Sequence, residues 1–262
     1  MKKTFKINPL KNSAKWCIIK EKSGGRIMIT DHTEFAEIFN KENIPVSAEQ
    51  YSSFKTYAEL LMEWNQKMNL TAITDKHGIT VKHFLDSVLP LKFLDIPVGA
   101  SLIDVGTGAG FPGLPLKIMR PDIKLTLLDS LNKRVNFLSE VCKALELDVP
   151  CIHARAEETG RDKNYREQYD FSAARAVAAM PVLTEYCLPY VKIGGMFAAL
   201  KGRSENYKDS ENAVKILGGE ISDVKEYTLP DGGGRTLICV RKIKETPQKY
   251  PRNGGQISKK PL

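Results

Sequence analysis

Apolar positions recur at helical spacing between residues 47 and 68. Tyr51, Phe54, Ala58, Leu61 and Met62 form one stripe, with polar residues between them. Ser47 precedes the stripe and Gln50 follows three residues later, so a capping box opens this helix. An earlier helical stretch covers 30–45, with Thr30 or Asp31 as its N-cap. A third apolar segment, VKHFLDSVLPLKFL at 81–94, completes a mostly helical front section. From residue 101 the period shortens. Apolar runs at 101–106, 124–129, 150–155, 169–176 and 196–202 read as strands. Between the second and third, Leu131, Val135, Leu138, Cys142 and Leu145 share one helical face. Strands alternating with helices predict an α/β fold, a mostly parallel sheet covered on both sides. The end differs. SDVKEYTLP and RTLICVRK flank DGGG, which predicts an antiparallel hairpin.

This pattern divides the chain. Residues 1–27 are a lysine-rich extension without periodicity, punctuated by SGG at 23–25. No role is assigned to them; Met28, just after, is an alternative start. Residues 28–97 form the helical portion, 98–243 the α/β domain and 244–262 a basic, linker-like tail.

Composition narrows the function classes. The 262 residues are 42% apolar, enough for a sizeable core. The longest apolar runs are far too short to span a membrane, and charges interrupt the N-terminus where a signal peptide needs an apolar stretch. A cytoplasmic protein is expected. The five cysteines are scattered and show no CxxC pair, and the four histidines lack ligand spacing. No metal site and no disulfide are expected.

The net charge of +8 is unevenly spread. Residues 1–27 hold eight Lys/Arg and one acid, and residues 241–262 hold seven and one, leaving 24 basic against 29 acidic residues between. Such basic ends either contact phosphate backbones or are simply solvated, and charge alone does not separate the two.

The chemistry concentrates in SLIDVGTGAGFPGLPL, residues 101–116. Gly106, Gly108 and Gly110 are spaced G-x-G-x-G, whereas a dinucleotide loop shows G-x-G-x-x-G and would place its third glycine at Phe111. Asp104 stands two residues before the first glycine, awkward beside a pyrophosphate but suited to a ligand that is cationic or donates hydrogen bonds. S-adenosylmethionine is such a ligand: it carries an ammonium group, ribose hydroxyls and no phosphate. Asp129, ending the second strand, stands where an α/β sheet offers a carboxylate to a ribose. The plainer alternative is that Asp104 and Asp129 merely cap helices.

DVGTGAGFPGLPL, LLDSLNKRVNFL, ARAEE, DFSAARAVA and ALKG resemble the glucose-inhibited division protein B family, the bacterial 16S rRNA guanine-N7 methyltransferases of the G type. LLMEWNQKMNLTAITD and HFLDSVLPL are similar to the family's helical front, and RKIKETPQKYPRNGGQISKKPL to its basic tail. The likeness covers about residues 29–262. It implies a Rossmann-like class I methyltransferase with a seven-stranded sheet. It implies methylation of N7 of a guanine in the 530 loop of 16S rRNA. The partner is 16S rRNA or a 30S subunit, and a monomer is expected. By the same resemblance Gly106, Phe111, Ala156, Glu157 and Arg175 contact the cofactor.

Guanine N7 bears a lone pair and no proton, so no general base is expected; alignment does the catalysis. The purine must leave its stack, because the A-form major groove is deep and narrow. Lys201 and Arg203, after the fifth strand, are expected to touch RNA, with Arg155, Lys242, Lys244, Lys249 and Arg252 as further candidates. Two other functions stay open: a nicotinamide-dependent enzyme on a related fold, and a non-catalytic RNA-binding assembly factor.

Overall fold

The computed structural model describes residues 28–203 and 206–262. The basic extension at 1–27 lies outside the described residues. The chain opens with helix α1 (His32–Lys41), capped by Asp31, and α2 (Ala48–Met68). Ser47 and Gln50 form the capping box in both directions. A helical run follows: α3 (Lys76–Gly78), a π-helical segment (Ile79–Leu85), α4 (Asp86–Val88) and a 3-10 turn (Leu89–Lys92).

Then the alternation begins. Strand β1 (Ser101–Val105) leads to α5 (Gly113–Met119), β2 (Lys124–Asp129) to α6 (Asn132–Ala144), and β3 (Cys151–His153) to α7 (Ala156–Thr159). Strand β4 (Tyr169–Arg175) leads to α8 (Met180–Cys187), and β5 (Val191–Gly202) to α9 (Glu211–Ile216). The hairpin is β6 (Gly219–Thr228) and β7 (Gly234–Lys242). The seven strands lie in the order β3-β2-β1-β4-β5-β7-β6. All pairings are parallel except β5–β7 and β6–β7. This is the Rossmann-like class I methyltransferase architecture.

Two core layers flank the sheet. Phe35, Phe39, Phe54, Tyr57, Phe84, Leu127 and Phe137 pack on one side, so the helical front is welded to the α/β domain through a shared core. Met180, Leu183, Tyr190, Phe197 and Val240 pack on the other. Tyr57, outside the stripe read from the sequence, is fully buried, whereas Leu131 is exposed. Leu131 is the N-cap of α6, so its side chain precedes the helical face it was expected to join.

The tail is not a linker. It docks on the domain and ends in α10 (Gly254–Lys259). Arg166 donates to the carbonyls of Gly160, Thr246, Pro247 and Tyr250, and Arg161 to those of Lys249 and Pro251. Two arginines thus satisfy a stretch of backbone that has no sheet or helix partner.

Candidate functional site

The site lies at the carboxyl ends of β1, β2 and β3, where a parallel sheet opens a crevice. A cavity of about 160 Å³ is lined there by Gly106, Asp129, Ala156, Glu157, Val177 and Tyr186, among others. Arg155 stands at its edge, largely exposed and 3.9 Å from the Glu157 carboxylate. A larger groove of about 860 Å³ lies at the opposite, amino ends of the strands. Its Asp170 is already engaged by Ser101 and Lys192, and none of the glycine-loop residues reaches it.

The glycine loop is built around two carboxylates. Asp104 is wholly buried, and its Oδ2 accepts from the Thr107 hydroxyl (2.6 Å) and the Gly113 N–H (2.8 Å). It therefore ties the loop to the first turn of α5. Its Oδ1 has no partner. Burial outweighs these hydrogen bonds and pushes the Asp104 carboxyl up to about 6. Asp129 faces the cavity. It accepts from the Gly108 N–H and the Leu131 N–H, both at 2.9 Å, and lies 3.5 Å from Arg134. The helix-capping alternative is thus partly realised for both acids, but only Asp129 lines the cavity.

Gly106, Gly108 and Gly110 all have positive φ, at 69°, 62° and 99°. At Gly110 a Cβ would stand 2.5 Å from the Tyr57 hydroxyl and 2.6 Å from Leu114. The third glycine therefore serves packing against the helical front. Tyr57 also donates to the Ala109 carbonyl.

Several residues named from the sequence do not line this cavity. Phe111 is buried, stacked on His83 at 4.5 Å and beside Tyr57 at 5.5 Å. Arg175 does not line the cavity. Its guanidinium lies over Phe111 and donates to Asp86, Ser87 and the carbonyls of Lys82 and His83. Lys201 is buried, with its ammonium donating to the Ala178 carbonyl, which pins the β4–α8 loop. Lys242 is fully buried, donating to the Leu188 carbonyl and Thr246 and paired with Glu167 at 3.1 Å. Its place in an RNA surface is corrected: alternation along β7 turns it inward. Burial brings its ammonium down to about 8. Arg252 grips both oxygens of buried Glu185. Arg155, Arg203, Lys244 and Lys249 are exposed.

Val177, Ser130 and Tyr186 line the cavity without having been singled out from the sequence. Val177 and Ser130 just follow strands β4 and β2, so the strand-end rule had the power to find them. Tyr186 projects from a helix face and carries no such signal.

The polar lining suits S-adenosylmethionine. Asp129 and Glu157 offer acceptor oxygens inside one cavity, a poor bed for a pyrophosphate and a good one for hydroxyl and amino donors. Among the described residues no three His, Cys, Asp or Glu side chains cluster as for a metal. None of the described helices is long and apolar enough to cross a membrane.

Comparison with known proteins shows the family. The family model for GidB, rRNA small subunit methyltransferase G, matches residues 50–232. The chain belongs to this family. Ribosomal RNA small subunit methyltransferase G of Acetivibrio thermocellus is 54% identical over 217 residues, covering 82% of this chain and 89% of that one. The protein of the same name from Geobacillus kaustophilus is 48% identical over 234 residues, covering 88% and 98%. That from Alkaliphilus metalliredigens is 52% identical over 217 residues, covering 81% and 91%. As a GidB-family methyltransferase, the chain uses S-adenosylmethionine as methyl donor and acts on small-subunit rRNA.

Proposed function

We propose that this chain methylates N7 of one guanine in the 530 loop of 16S rRNA, acting in the cytoplasm as a monomer on a 30S subunit and without a metal. The observation that carries the reading is the cavity at the carboxyl ends of the strands, lined by Asp129, Glu157 and the Gly106 turn. S-adenosylmethionine supplies an electrophilic methyl group on a sulfonium centre.

The protein's part is placement. Asp129 and Glu157 accept from the hydroxyl and amino groups of the cofactor, and the positive-φ turn at Gly106 lets backbone approach it closely. Guanine N7 attacks with its own lone pair, so no residue removes a proton before the methyl moves. Arg155 at the rim, with Arg203, Lys244 and Lys249, contacts RNA phosphates. Arg175, Lys201 and Phe111 act one layer behind, fixing the loops that form the walls.

The cellular test is direct. In a strain lacking the chain, 16S rRNA loses one 7-methylguanosine in the 530 loop. The wild-type chain restores it, and a Gly108→Arg variant does not. Full restoration by Gly108→Arg contradicts the reading and favours a non-catalytic assembly role.

A further inference from the structure

The basic tail resembles an RNA-binding arm in sequence, but its geometry ties it to the cofactor cavity. Arg252 grips Glu185 through its Nε, Nη2 and backbone N–H. Glu185 adjoins Tyr186, a residue of the cavity wall. Two residues beyond Arg252, Gly254 opens α10 against Glu157, another residue of the cavity wall. A Cβ at Gly254 would stand 2.3 Å from the Glu157 Oε1. No side chain fits there unless the Glu157 carboxylate moves. Pro251 packs on Gly160 just beyond α7, and Ile257 of α10 is fully buried.

We infer that the tail backs the wall of the cofactor cavity and that Gly254 is a positioning residue, holding the Glu157 carboxylate where the adenosine portion of S-adenosylmethionine is read. The inference rests on the reading of this cavity as the cofactor site. It gives the tail a role in donor binding that is separate from any contact of Lys249 or Lys259 with RNA.

The test is calorimetric titration with S-adenosylhomocysteine of wild type, Gly254→Ala, Glu157→Ala and the double variant. The atom that must shift is the far end of a flexible side chain, so Gly254→Ala keeps a Tm near wild type. Its Kd rises about tenfold or more, the scale of one lost hydrogen bond to a charged group. Glu157→Ala weakens binding to a similar degree. The double variant binds no worse than Glu157→Ala, because the glycine acts through that carboxylate. The KM for 30S subunits stays unchanged in Gly254→Ala. Wild-type affinity in Gly254→Ala overturns the inference, and so does a full additional loss on the Glu157→Ala background. Failure of the wild type to bind overturns the cavity assignment itself.

Discussion

The Arg175 guanidinium lies 4.7 Å from the centre of the Phe111 ring, and His83 stacks at 4.5 Å from the same ring. Phe111 belongs to the glycine loop, His83 to the helical front and Arg175 to the end of β4. One cation and two rings therefore join three parts of the chain. Arg175 and Arg235 share Asp86, at 3.3 and 2.9 Å. The cluster packs the glycine loop against the helical front and the end of β4, next to the cavity.

Arg175→Ala leaves Asp86 buried with half its partners. Asp86 keeps Arg235, so the loss stays below the about 3–5 kcal/mol of a fully broken buried pair, and the variant should unfold at lower denaturant than wild type. Urea titration measures this. A direct cofactor contact would instead weaken S-adenosylhomocysteine binding at unchanged stability. Arg175→Lys keeps the charge but cannot reproduce the fork, and falls between the two.

Two glycines of one loop should respond differently to alanine. At position 110 a methyl meets Tyr57 and Leu114 at φ 99°, so Gly110→Ala destabilises by about 1–3 kcal/mol or more. At position 106 a Cβ presses 3.0 Å from Val177, an exposed side chain of the cavity wall that can shift. Gly106→Ala should therefore lose more cofactor affinity relative to its loss of Tm. Calorimetry and thermal unfolding on both variants separate the two roles.

His83 makes stability depend on pH. Burial, then the charge of Arg175, brings its imidazole down to about 3 from an ordinary 6.5. An arginine only donates, so Nδ1, 3.5 Å from Arg175, accepts, and the Nε2 proton points to the Thr71 hydroxyl at 2.7 Å. The unfolded chain takes up a proton below about pH 6.5 and the folded chain does not. This contribution is present at neutral pH and falls as pH drops through the window between 6.5 and 3. Asp104 works in the opposite sense: its folded carboxyl sits near 6 and holds a proton that the unfolded chain releases above about 3.8. Comparison with His83→Gln isolates the histidine. The stability advantage of wild type over that variant should shrink by about 2 kcal/mol between pH 7.5 and pH 5.

Lys242 and Lys249 look alike in sequence and lie in opposite surroundings. Lys242→Ala removes the partner of Glu167 from the interior and should lower Tm while leaving the salt dependence of RNA binding unchanged. Lys249→Ala should leave Tm near wild type. If it touches a phosphate, it reduces the slope of log K against log salt by about 0.7–0.9. Filter binding across salt concentrations and thermal unfolding read the two effects.

The sheet was legible because its signals are local. Runs at 101–106, 124–129 and 169–176 match β1, β2 and β4 closely, and the DGGG turn marks the hairpin. Strand β5 starts at Val191, earlier than its apolar run, because Gly194 and Gly195 hide the first half from a hydrophobic pattern. Asp129, Gly106, Ala156 and Glu157 converge on one cavity, since each follows directly from a strand end or a family motif. Arg175 and Lys201 sit at strand ends too, yet they turn inward to partners that only the tertiary fold supplies: Asp86, 89 residues before Arg175, and the Ala178 carbonyl. The tail misled for a related reason. Its lysines suggested solvent, while the arginines that hold it, Arg161 and Arg166, lie more than eighty residues earlier.

The measurement that bears most directly on the whole account is methyl transfer in vitro. Purified protein is incubated with methyl-labelled S-adenosylmethionine and 30S subunits from a strain lacking the enzyme, and the rRNA is digested and mapped. The account predicts label as 7-methylguanosine at a single guanine of the 530 loop. Label on another base or outside that loop, or no transfer to 30S subunits by a protein that binds S-adenosylhomocysteine, contradicts it.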